Sequence, residues 1–207
     1  MEIYKYILVA SAGYLLGSLS MSIILSRAVL GEDVRRKGSG NAGATNMARV
    51  YGLKAGALTL GGDVLKASLS MLIGWLLLGD VGLALGGIAS LVGHCFPVYY
   101  NFRGGKGVSV GAAVALAIDW RVFLSIVLVF ALAAFLSKKV SLGSVCAAVA
   151  ISITSLIFQV STPKLILAVF GMLLVVFQHR ENIKRLINGT EPDFKPAKPP
   201  VKDNIET

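Results

Sequence analysis

The sequence predicts an all-α integral membrane protein with about seven transmembrane helices. Hydrophobic residues occupy 55% of its 207 positions, more than in ordinary soluble domains, and the mean hydropathy is +0.74. A helix needs about 20 mainly apolar residues to cross a bilayer. Seven runs approach this length, namely Tyr6–Leu25, Ala57–Leu78, Val81–Tyr99, Gly107–Ile118, Val122–Leu136, Leu142–Phe158 and Leu165–Phe177.

The distribution of basic residues predicts the orientation of these helices. The net charge is +9 at pH 7, which on its own would also suit a nucleic-acid-binding protein. However, residues 26–56, 101–106 and 137–141 and the segment after Phe177 hold 16 of the 20 Lys and Arg residues. With seven spans, these four stretches share one side, which the positive-inside rule makes cytoplasmic. We therefore expect the N-terminus outside, the C-terminus inside and no nucleic-acid partner, with Lys138 and Lys139 as membrane anchors.

The chain is predicted to form one transmembrane domain, residues 1–187, followed by a cytoplasmic tail, residues 188–207. The tail, NGTEPDFKPAKPPVKDNIET, contains four of the six prolines and few apolar residues, which is typical of a disordered segment. The two cysteines, Cys95 and Cys146, lie in or beside predicted spans. They are expected to be small core residues rather than part of a disulfide or metal site.

The first of three unusual polar segments is Gly38–Arg49, which contains GSGNAGATN. Its glycines leave backbone amides uncovered, so that successive N–H groups can point at one anion. Ser39 or Asn41 is positioned to cap the helix that resumes near residue 42, and a helix N-terminus favours a phosphate or carboxylate. Asn46 and Arg49 are three residues apart and share a helix face. An ordinary capped turn between helices is the alternative interpretation.

The second polar segment, HCFPVYYNFRGGKGV, begins at His94 and ends just inside the next span. It places Lys106 among three glycines, an open and amide-rich setting that suits a phosphoryl group. The segment is not a nucleotide-binding P-loop, because Tyr100 and Gly107 stand where that pattern requires Gly and Ser or Thr. Lys106 as a simple positive-inside anchor is the alternative, and His94 is expected to be structural.

The third polar segment is QHRENIKR, residues 178–185, at the end of the last span. His179 and Asn182 are three residues apart and lie on one helical face. An imidazole beside a carboxamide can orient a hydroxyl group and accept its proton. Interfacial polar residues that simply end a helix are the alternative, and Arg180, Lys184 and Arg185 suit that interpretation.

Two lesser polar features lie in or near the spans. Asp63 and Lys66 are one helical turn apart inside the second span, where each charge costs roughly 2.5–3.5 kcal/mol, so they are expected to neutralise each other. Ser141 and Ser144 follow a short loop on the same side as the three segments. No Asp cluster for Mg²⁺, no Cys/His set for Zn²⁺ and no His-x-x-x-x-Asp dyad is visible, so no metal is predicted.

The order GSGNAGATN, GHCFPVYYNFRGGKGV and HREN resembles the bacterial acyl-phosphate:glycerol-3-phosphate acyltransferase family, the PlsY type, over the whole chain up to the tail. The resemblance implies a seven-helix enzyme of the bacterial inner membrane with a cytoplasmic active site. It implies acyl transfer from acyl phosphate, rather than acyl-CoA or acyl carrier protein, to glycerol 3-phosphate. The product is 1-acyl-glycerol 3-phosphate (lysophosphatidic acid), the first acylation step of phospholipid synthesis. No cofactor is implied, and an upstream enzyme would supply the acyl phosphate.

The same resemblance assigns roles to residues of the three segments. The candidate catalytic residues are Ser39, Arg49, Lys106, His179 and Asn182. The candidate substrate-binding residues are Gly38, Ser39, Gly40, Asn41, Gly43, Thr45, Asn46, Arg49, Gly104, Gly105, Lys106, Gly107 and Ser144. We expect the amides of residues 38–43 to hold acyl phosphate, and Arg49 and Lys106 to grip glycerol 3-phosphate. His179 and Asn182 would then set the acceptor hydroxyl against the acyl carbonyl, in direct transfer without an acyl-enzyme.

Two other classes of function are compatible with a basic cytoplasmic face. A transporter of phosphate or organic phosphates would use the same cations, although transporters often have two similar halves with a midplane site, and no second half is visible here. A structural lipid-binding membrane protein would show no turnover with any acyl donor.

Overall fold

The computed structural model describes residues 2–197, and within them all regular structure is helical. This described part of the chain contains nine α-helices: α1 (Ile3–Gly17), α2 (Met21–Leu30), α3 (Ala44–Tyr51), α4 (Leu53–Cys95), α5 (Val108–Ile118), α6 (Trp120–Ser137), α7 (Val140–Ile157), α8 (Thr162–Gln178) and α9 (Arg180–Ile187). Short 3₁₀ turns, Val34–Arg36 and Val98–Tyr100, precede the first and second glycine-rich loops.

The long helix α4 is a hairpin of two helical halves, residues 53–78 and 80–95. Gly79 separates them with a φ of 60° and a ψ of −143°, a backbone conformation that side chains disfavour. The halves pack backbone against backbone, because a Cβ atom at Gly74 or Gly82 would collide with the carbonyl group of the other. The predicted spans Ala57–Leu78 and Val81–Tyr99 therefore correspond to the two arms of this hairpin.

Helix α1 packs along α4, again through glycines. A Cβ atom at Gly17 or Gly93 would overlap the backbone of the opposite helix. The predicted first span, Tyr6–Leu25, is interrupted between α1 and α2, where Lys66 of α4 donates hydrogen bonds to the carbonyl oxygens of Gly17 (2.8 Å) and Leu19 (2.6 Å). The lysine therefore satisfies carbonyl groups that the end of α1 leaves without helical partners.

The hydrophobic core lies between α4, α5, α7 and α8. Fully buried Leu91, Val110, Val114 and Leu167 belong to one apolar cluster at its centre. The outer surface is also apolar, and Phe135 on α6 is 82% exposed. Large apolar side chains on both faces of the helices are expected where hydrocarbon, rather than water, surrounds a helical domain.

Four helical segments are long and apolar enough to cross a membrane: Ile3–Val29, Leu53–Tyr100, Trp120–Ser137 and Val140–Ile157. A fifth is formed if α8 and α9, which are bent by 61° at His179, count as one span. Helix α5 is shorter, at 11 residues. The predicted all-helical, membrane-spanning class is therefore confirmed, whereas the count of seven and the orientation of the termini stay predictions.

The first part of the predicted tail, residues 188–197, is folded onto the helices, and we call it the C-terminal strap. The Phe194 N–H donates to the carbonyl oxygen of Lys138 (3.0 Å), and the Ala197 N–H donates to that of Ala48 (3.1 Å). Glu191 is buried. The strap thus joins the start of α7 to the end of α3; residues 198–207 lie outside the described residues.

The close approach inside the α4 hairpin gives a testable expectation. Gly82→Ala places a methyl group against the Gly74 carbonyl and should destabilise the folded protein by about 1–3 kcal/mol, the usual cost of overpacking. Gly61→Ala, on the same helix, meets no atom within 4 Å and is the matched control, expected to be neutral or slightly stabilising. Thermal unfolding in detergent compares them; equal midpoints would contradict the hairpin packing.

Candidate active site

One cavity of about 1280 Å³ receives all three polar segments. Its polar end is lined by residues of the 38–49 segment, the 104–106 segment and α9, whereas its apolar end lies between α4, α5, α6, α7 and α8. Every predicted site residue lines this cavity except one, Gly107. Gly107 has a φ of +85° and precedes α5, with Val175 and Leu91 beside its Cα atom, so it forms a turn against the core.

Asn46 organises the first glycine-rich loop. Its Nδ2 atom donates to the carbonyl oxygens of Val34, Lys37 and Asn41, at 3.2, 3.1 and 3.0 Å. Its Oδ1 atom accepts from the Ser39 N–H at 2.9 Å, and the side chain is 1% exposed. Because all of its side-chain polar atoms are engaged in the protein, Asn46 shapes the loop, and its predicted contact with substrate stays a prediction.

The loop leaves only part of its backbone available to an anion. The N–H groups of Ser39 and Gly40 already donate within the loop. Within the described residues, the N–H groups of Gly38, Asn41 and Gly43 make no hydrogen bond to a protein acceptor. The predicted capping of the next helix by Ser39 or Asn41 is wrong: Gly43 is the N-cap of α3, with no side-chain hydrogen bond. Because α3 begins after Gly43, the side chains of Ser39 and Asn41 do not cap it and instead line the cavity mouth.

Arg35 connects the first segment to the second. Its guanidinium donates to the carbonyl oxygens of Tyr100 (2.9 Å) and Arg103 (3.1 Å) and forms an ion pair with Asp33 (2.8 Å). Hydrogen bonds from Arg35 and Arg27 hold the pKa of Asp33 well below its usual range. The pair therefore stays ionised and fixes the spacing between the two loops.

The second loop folds tightly over the end of α4. The N–H groups of Gly104 and Gly105 donate to the carbonyl oxygens of Cys95 (3.2 Å) and His94 (3.0 Å). A Cβ atom at Gly104 would collide with the His94 carbonyl, and one at Gly105 with its ring, so only glycine fits at either position. This turn directs Lys106, the next residue, into the polar end of the cavity.

Lys106 contacts the third segment through Asn182. Its Nζ atom donates a short hydrogen bond to Asn182 Oδ1, and Asn182 Nδ2 donates to Glu191 Oε1 at 2.7 Å. Burial lowers the pKa of Lys106, and the nearby charge of Arg185 lowers it further. Lys106 therefore lies in a buried, cationic environment, where an incoming phosphate would stabilise its charged form.

His179 stands at the bend between α8 and α9 and is 3% exposed. Its Nδ1 atom lies 2.8 Å from the carbonyl oxygen of Val175. Because a carbonyl only accepts hydrogen bonds, we assign the proton of the neutral ring to Nδ1, which leaves Nε2 as an acceptor. His179 also lines the cavity, so an acceptor nitrogen is available at its polar end.

Glu191 of the strap is the site residue that the sequence did not predict. Its carboxylate accepts from Ser141 Oγ (2.6 Å), Asn182 Nδ2 (2.7 Å) and Arg185 Nε (2.7 Å). Burial opposes its ionisation, but these three hydrogen bonds together lower its pKa below the ordinary value. Its signal in the sequence is weak, because Glu191 is one of several acidic residues, such as Asp33 and Asp193, within the mainly basic segments.

The remaining predicted residues differ in exposure. Arg49 is half-buried in the cavity wall, and within the described residues it makes no ion pair. Ser39 is exposed at the mouth, whereas Ser144 is buried and donates to the carbonyl of Val140 (2.9 Å). Lys139, predicted to be only an anchor, instead donates to the Glu191 carbonyl oxygen at 2.6 Å and holds the strap.

The predicted neutralisation of Asp63 by Lys66 is confirmed, with Lys66 Nζ 3.1 Å from Asp63 Oδ1. His94, predicted to be structural, packs into the same pair, with its Nδ1 atom 3.2 Å from Lys66 Nζ. Both charges are almost fully buried. This cluster lies beneath the second loop, since Gly105 packs on the His94 ring.

The apolar end of the cavity is lined by aliphatic and aromatic side chains, among them Val114, Phe123, Ile126, Ile151 and Met172. Leu116 and Val127 also line it and are half exposed on the outer surface, so this end reaches the lipid-facing side of the protein. A helical membrane domain whose cavity is cationic at one end and apolar at the other is typical of proteins that bind amphiphilic phosphates.

Comparisons with known proteins agree with this class. The sequence profile of the family described as Glycerol-3-phosphate acyltransferase matches residues 7–189. A relative of that name from Syntrophotalea carbinolica is 43% identical over 187 residues, 89% of this chain and 95% of the relative. Another from Clostridioides difficile is 42% identical over 92% of this chain and 96% of its own length.

Two crystal structures of PlsY, an integral membrane glycerol 3-phosphate acyltransferase, share the fold. The glycerol 3-phosphate form has a TM-score of 0.87 at 34% identity, over 92% of this chain and 96% of that one. The lysophosphatidic acid form has a TM-score of 0.84 at 33% identity, over 92% and 95%. The chain therefore belongs to the glycerol-3-phosphate acyltransferase family of integral membrane enzymes, of the PlsY type.

The buried carboxylate of Glu191 gives a prediction about stability. The pKa of Glu191 in the folded protein is lowered from 4.5. The ionised carboxylate therefore adds to the free energy of unfolding above the unfolded pKa, and this contribution is lost as pH falls through the folded pKa. Glu191→Gln replaces the carboxylate with an uncharged amide, whose NH₂ group would face at least one of the three hydrogen-bond donors. We expect it to lower the free energy of unfolding at neutral pH by about 1.5–3 kcal/mol and to weaken the loss of stability in acid.

Asp193→Asn is the matched control, since Asp193 lies two residues away, is exposed and forms an ion pair with Lys139 (3.0 Å). Thermal unfolding in detergent between pH 7 and pH 4, on all three proteins, measures the effect. Equal midpoints for the two variants would show that the strap is not anchored through Glu191.

Proposed function

We propose that this enzyme transfers a fatty acyl group from acyl phosphate to glycerol 3-phosphate, giving 1-acyl-glycerol 3-phosphate and inorganic phosphate. The observation that carries the proposal is the single cavity, in which glycine amides, Arg49 and Lys106 meet an apolar end open to lipid. Both proposed substrates bring a phosphate group, and one also brings an alkyl chain. The cavity has groups suited to each of these parts.

The acyl phosphate binds with its phosphate at the first loop and its chain in the apolar end. The uncovered N–H groups of Gly38, Asn41 and Gly43 stand at the mouth, where a nest of amides stabilises an anion. An acyl phosphate is a mixed anhydride, so phosphate leaves readily once its charge is held. Ser39, exposed beside these amides, adds a hydroxyl donor.

Glycerol 3-phosphate binds through Arg49 and Lys106. Arg49 has a guanidinium without an ion-pair partner among residues 2–197, and it can hold a phosphate through two hydrogen bonds. Lys106 is fixed at its other side by Asn182 Oδ1. The acceptor substrate thus lies between the first and second loops, next to His179.

His179 takes the proton of the attacking hydroxyl. The hydroxyl oxygen of glycerol 3-phosphate forms a bond to the acyl carbon, while the bond from that carbon to the phosphate oxygen breaks and phosphate leaves with the electron pair. The hydroxyl proton passes to His179 Nε2, the acceptor nitrogen left by the Nδ1 contact to Val175, and then to the departing phosphate. Transfer is direct, since this sequence of steps needs no acyl-enzyme.

The role of Asn182 differs from the one that the sequence suggested. Its carboxamide donates to Glu191 and accepts from Lys106, so it holds the ammonium group rather than the acceptor hydroxyl. We accordingly assign the orientation of the hydroxyl to His179 alone and that of the phosphate to the Asn182–Lys106 pair.

The proposal includes a place in the cell. The polar end of the cavity faces the cytoplasm of a bacterial inner membrane, with the N-terminus outside, because the basic loops gather on that side. An upstream enzyme that makes acyl phosphate supplies the donor.

The donor is tested with purified protein, glycerol 3-phosphate and either palmitoyl phosphate or palmitoyl-CoA, with the product identified by mass. We expect lysophosphatidic acid with palmitoyl phosphate only. Product from palmitoyl-CoA alone would contradict the donor assignment. Reconstituted vesicles that take up glycerol 3-phosphate without acyl transfer would instead favour a transporter.

Substitutions at the two cations test the phosphate assignment. Lys106→Ala should raise the KM for glycerol 3-phosphate about 10- to 150-fold, because a charge-assisted contact contributes about 1.5–3 kcal/mol. Arg49→Lys should also weaken phosphate binding, because a lysine ammonium cannot form the two parallel hydrogen bonds that a guanidinium forms with a phosphate. His179→Ala should lower kcat more than it changes KM.

Lys138→Ala is the matched control, because Lys138 is exposed on the same face and does not line the cavity. It should keep wild-type kinetics. Folded, membrane-inserted Lys106→Ala protein with an unchanged KM for both substrates would show that Lys106 does not bind phosphate.

A further inference from the structure

Four buried polar side chains below the second loop have no part in the proposed chemistry. Asp63, Lys66, His94 and Ser109 are 1%, 4%, 3% and 6% exposed. Two of them are charged and belong to helix α4, inside an apolar segment. Ionisable side chains inside an apolar, membrane-spanning segment cost free energy, and such groups are usually paired or functional.

Lys66 is the centre of this group. Its ammonium donates to the carbonyl oxygens of Gly17 (2.8 Å) and Leu19 (2.6 Å), contacts His94 Nδ1 at 3.2 Å and forms an ion pair with Asp63 Oδ1 at 3.1 Å. The ammonium is therefore fully engaged and cannot move without losing several partners. It ties the end of α1, the first arm of α4 and the second arm of α4 to one point.

Two members of the group hold the second loop at its two ends. On the entry side, the carbonyl oxygen of His94 accepts from the Gly105 N–H at 3.0 Å, and the imidazole packs against the Cα atom of Gly105. On the exit side, Ser109 Oγ donates to Asp63 Oδ2 at 2.9 Å. Lys106 lies between these two contacts, one residue after the first and three before the second.

Ser109 is the second residue of α5, so its own helix offers no carbonyl oxygen four residues earlier. Ser70 and Ser144, buried in α4 and α7, donate to the carbonyl oxygen four residues earlier in their own helices, at 2.8 and 2.9 Å. Ser109 instead reaches across to α4 and bonds a carboxylate. Neutralisation of Asp63 by Lys66 needs neither Ser109 nor His94.

We infer that Asp63, Lys66, His94 and Ser109 form a buried clamp that positions Lys106 for its substrate phosphate, so that Asp63 and Ser109 are positioning residues of this enzyme. The segment that these contacts hold, residues 105–109, contains two glycines, whose backbone freedom would otherwise spread the ammonium over many positions. Holding both ends reduces that freedom before substrate arrives. The inference rests on the proposed function of Lys106 as a phosphate-binding residue.

The test is a double-mutant cycle between Ser109→Ala and Lys106→Ala, read as the dissociation constant of glycerol 3-phosphate by titration calorimetry in detergent. Ser109→Ala alone should weaken binding about tenfold, a fold-change typical for the loss of one hydrogen bond to a charged group. In the Lys106→Ala protein it should change binding less than twofold, because the clamp acts only through Lys106. Ser109→Thr keeps the hydroxyl and should restore most of the affinity.

Thr59→Val is the matched control, since it removes a buried hydroxyl of α4 whose hydrogen bond goes to the Ala55 carbonyl oxygen (2.8 Å) and to no member of the clamp. It should leave the dissociation constant unchanged. If Ser109→Ala is not extracted as folded protein, Asp63→Asn carries the same cycle, because it weakens the acceptor of the Ser109 bond.

The outcomes separate the clamp from the proposed function. A tenfold loss in both backgrounds, or no loss in either, overturns the clamp while acyl transfer by the wild-type protein stands. Wild-type protein that binds no glycerol 3-phosphate and shows no turnover overturns the proposed function itself, and the inference that rests on it.

Discussion

The candidate site depends on the two hydrogen bonds that the carboxamide of Asn182 makes. On one side it accepts from the ammonium of Lys106, and on the other it donates to the carboxylate of Glu191. These two contacts join the second loop, helix α9 and the C-terminal strap. Since Glu191 also binds Ser141 and Arg185, the same short network reaches α7 and closes the polar end of the cavity.

A carboxamide at this position has an electrostatic consequence. Were Glu191 to contact Lys106 directly, the carboxylate would neutralise the ammonium and compete with a substrate phosphate for it. Asn182 keeps the two charges apart while fixing both, so Lys106 retains charge to offer to an anion. The pKa of Lys106 is lowered mainly by burial and further by the charge of Arg185. A bound phosphate would raise this pKa again. The site is therefore built to gain from anion binding.

Much of this arrangement follows from local sequence patterns, and some of it does not. Hydropathy predicts the helices, and the three-residue spacing of Asp63 and Lys66 predicts their ion pair, because both are effects within one element. The glycines around Lys106 likewise indicate a tight, amide-rich turn. In contrast, the engagement of Asn46 by its own loop depends on which carbonyl groups surround it after folding, and no spacing rule reports that.

The strap shows the same limit more strongly. Its proline-rich composition predicts disorder, and composition averages over all residues. Yet a buried carboxylate with three donors, Lys139 and two backbone hydrogen bonds hold these ten residues against the helices. Such an anchor is a tertiary contact between residues about 50 positions apart, as in the pairing of Ser141 with Glu191.

A structure of the protein with glycerol 3-phosphate and a non-hydrolysable acyl phosphonate tests the account most directly. We expect the phosphate of glycerol 3-phosphate to contact Arg49 and Lys106, and the hydroxyl that is acylated to lie beside His179 Nε2. The phosphonate should lie at residues 38–43, with its chain between α5, α6 and α7. Phosphate groups bound away from Lys106, or a chain outside the apolar end of the cavity, would contradict it.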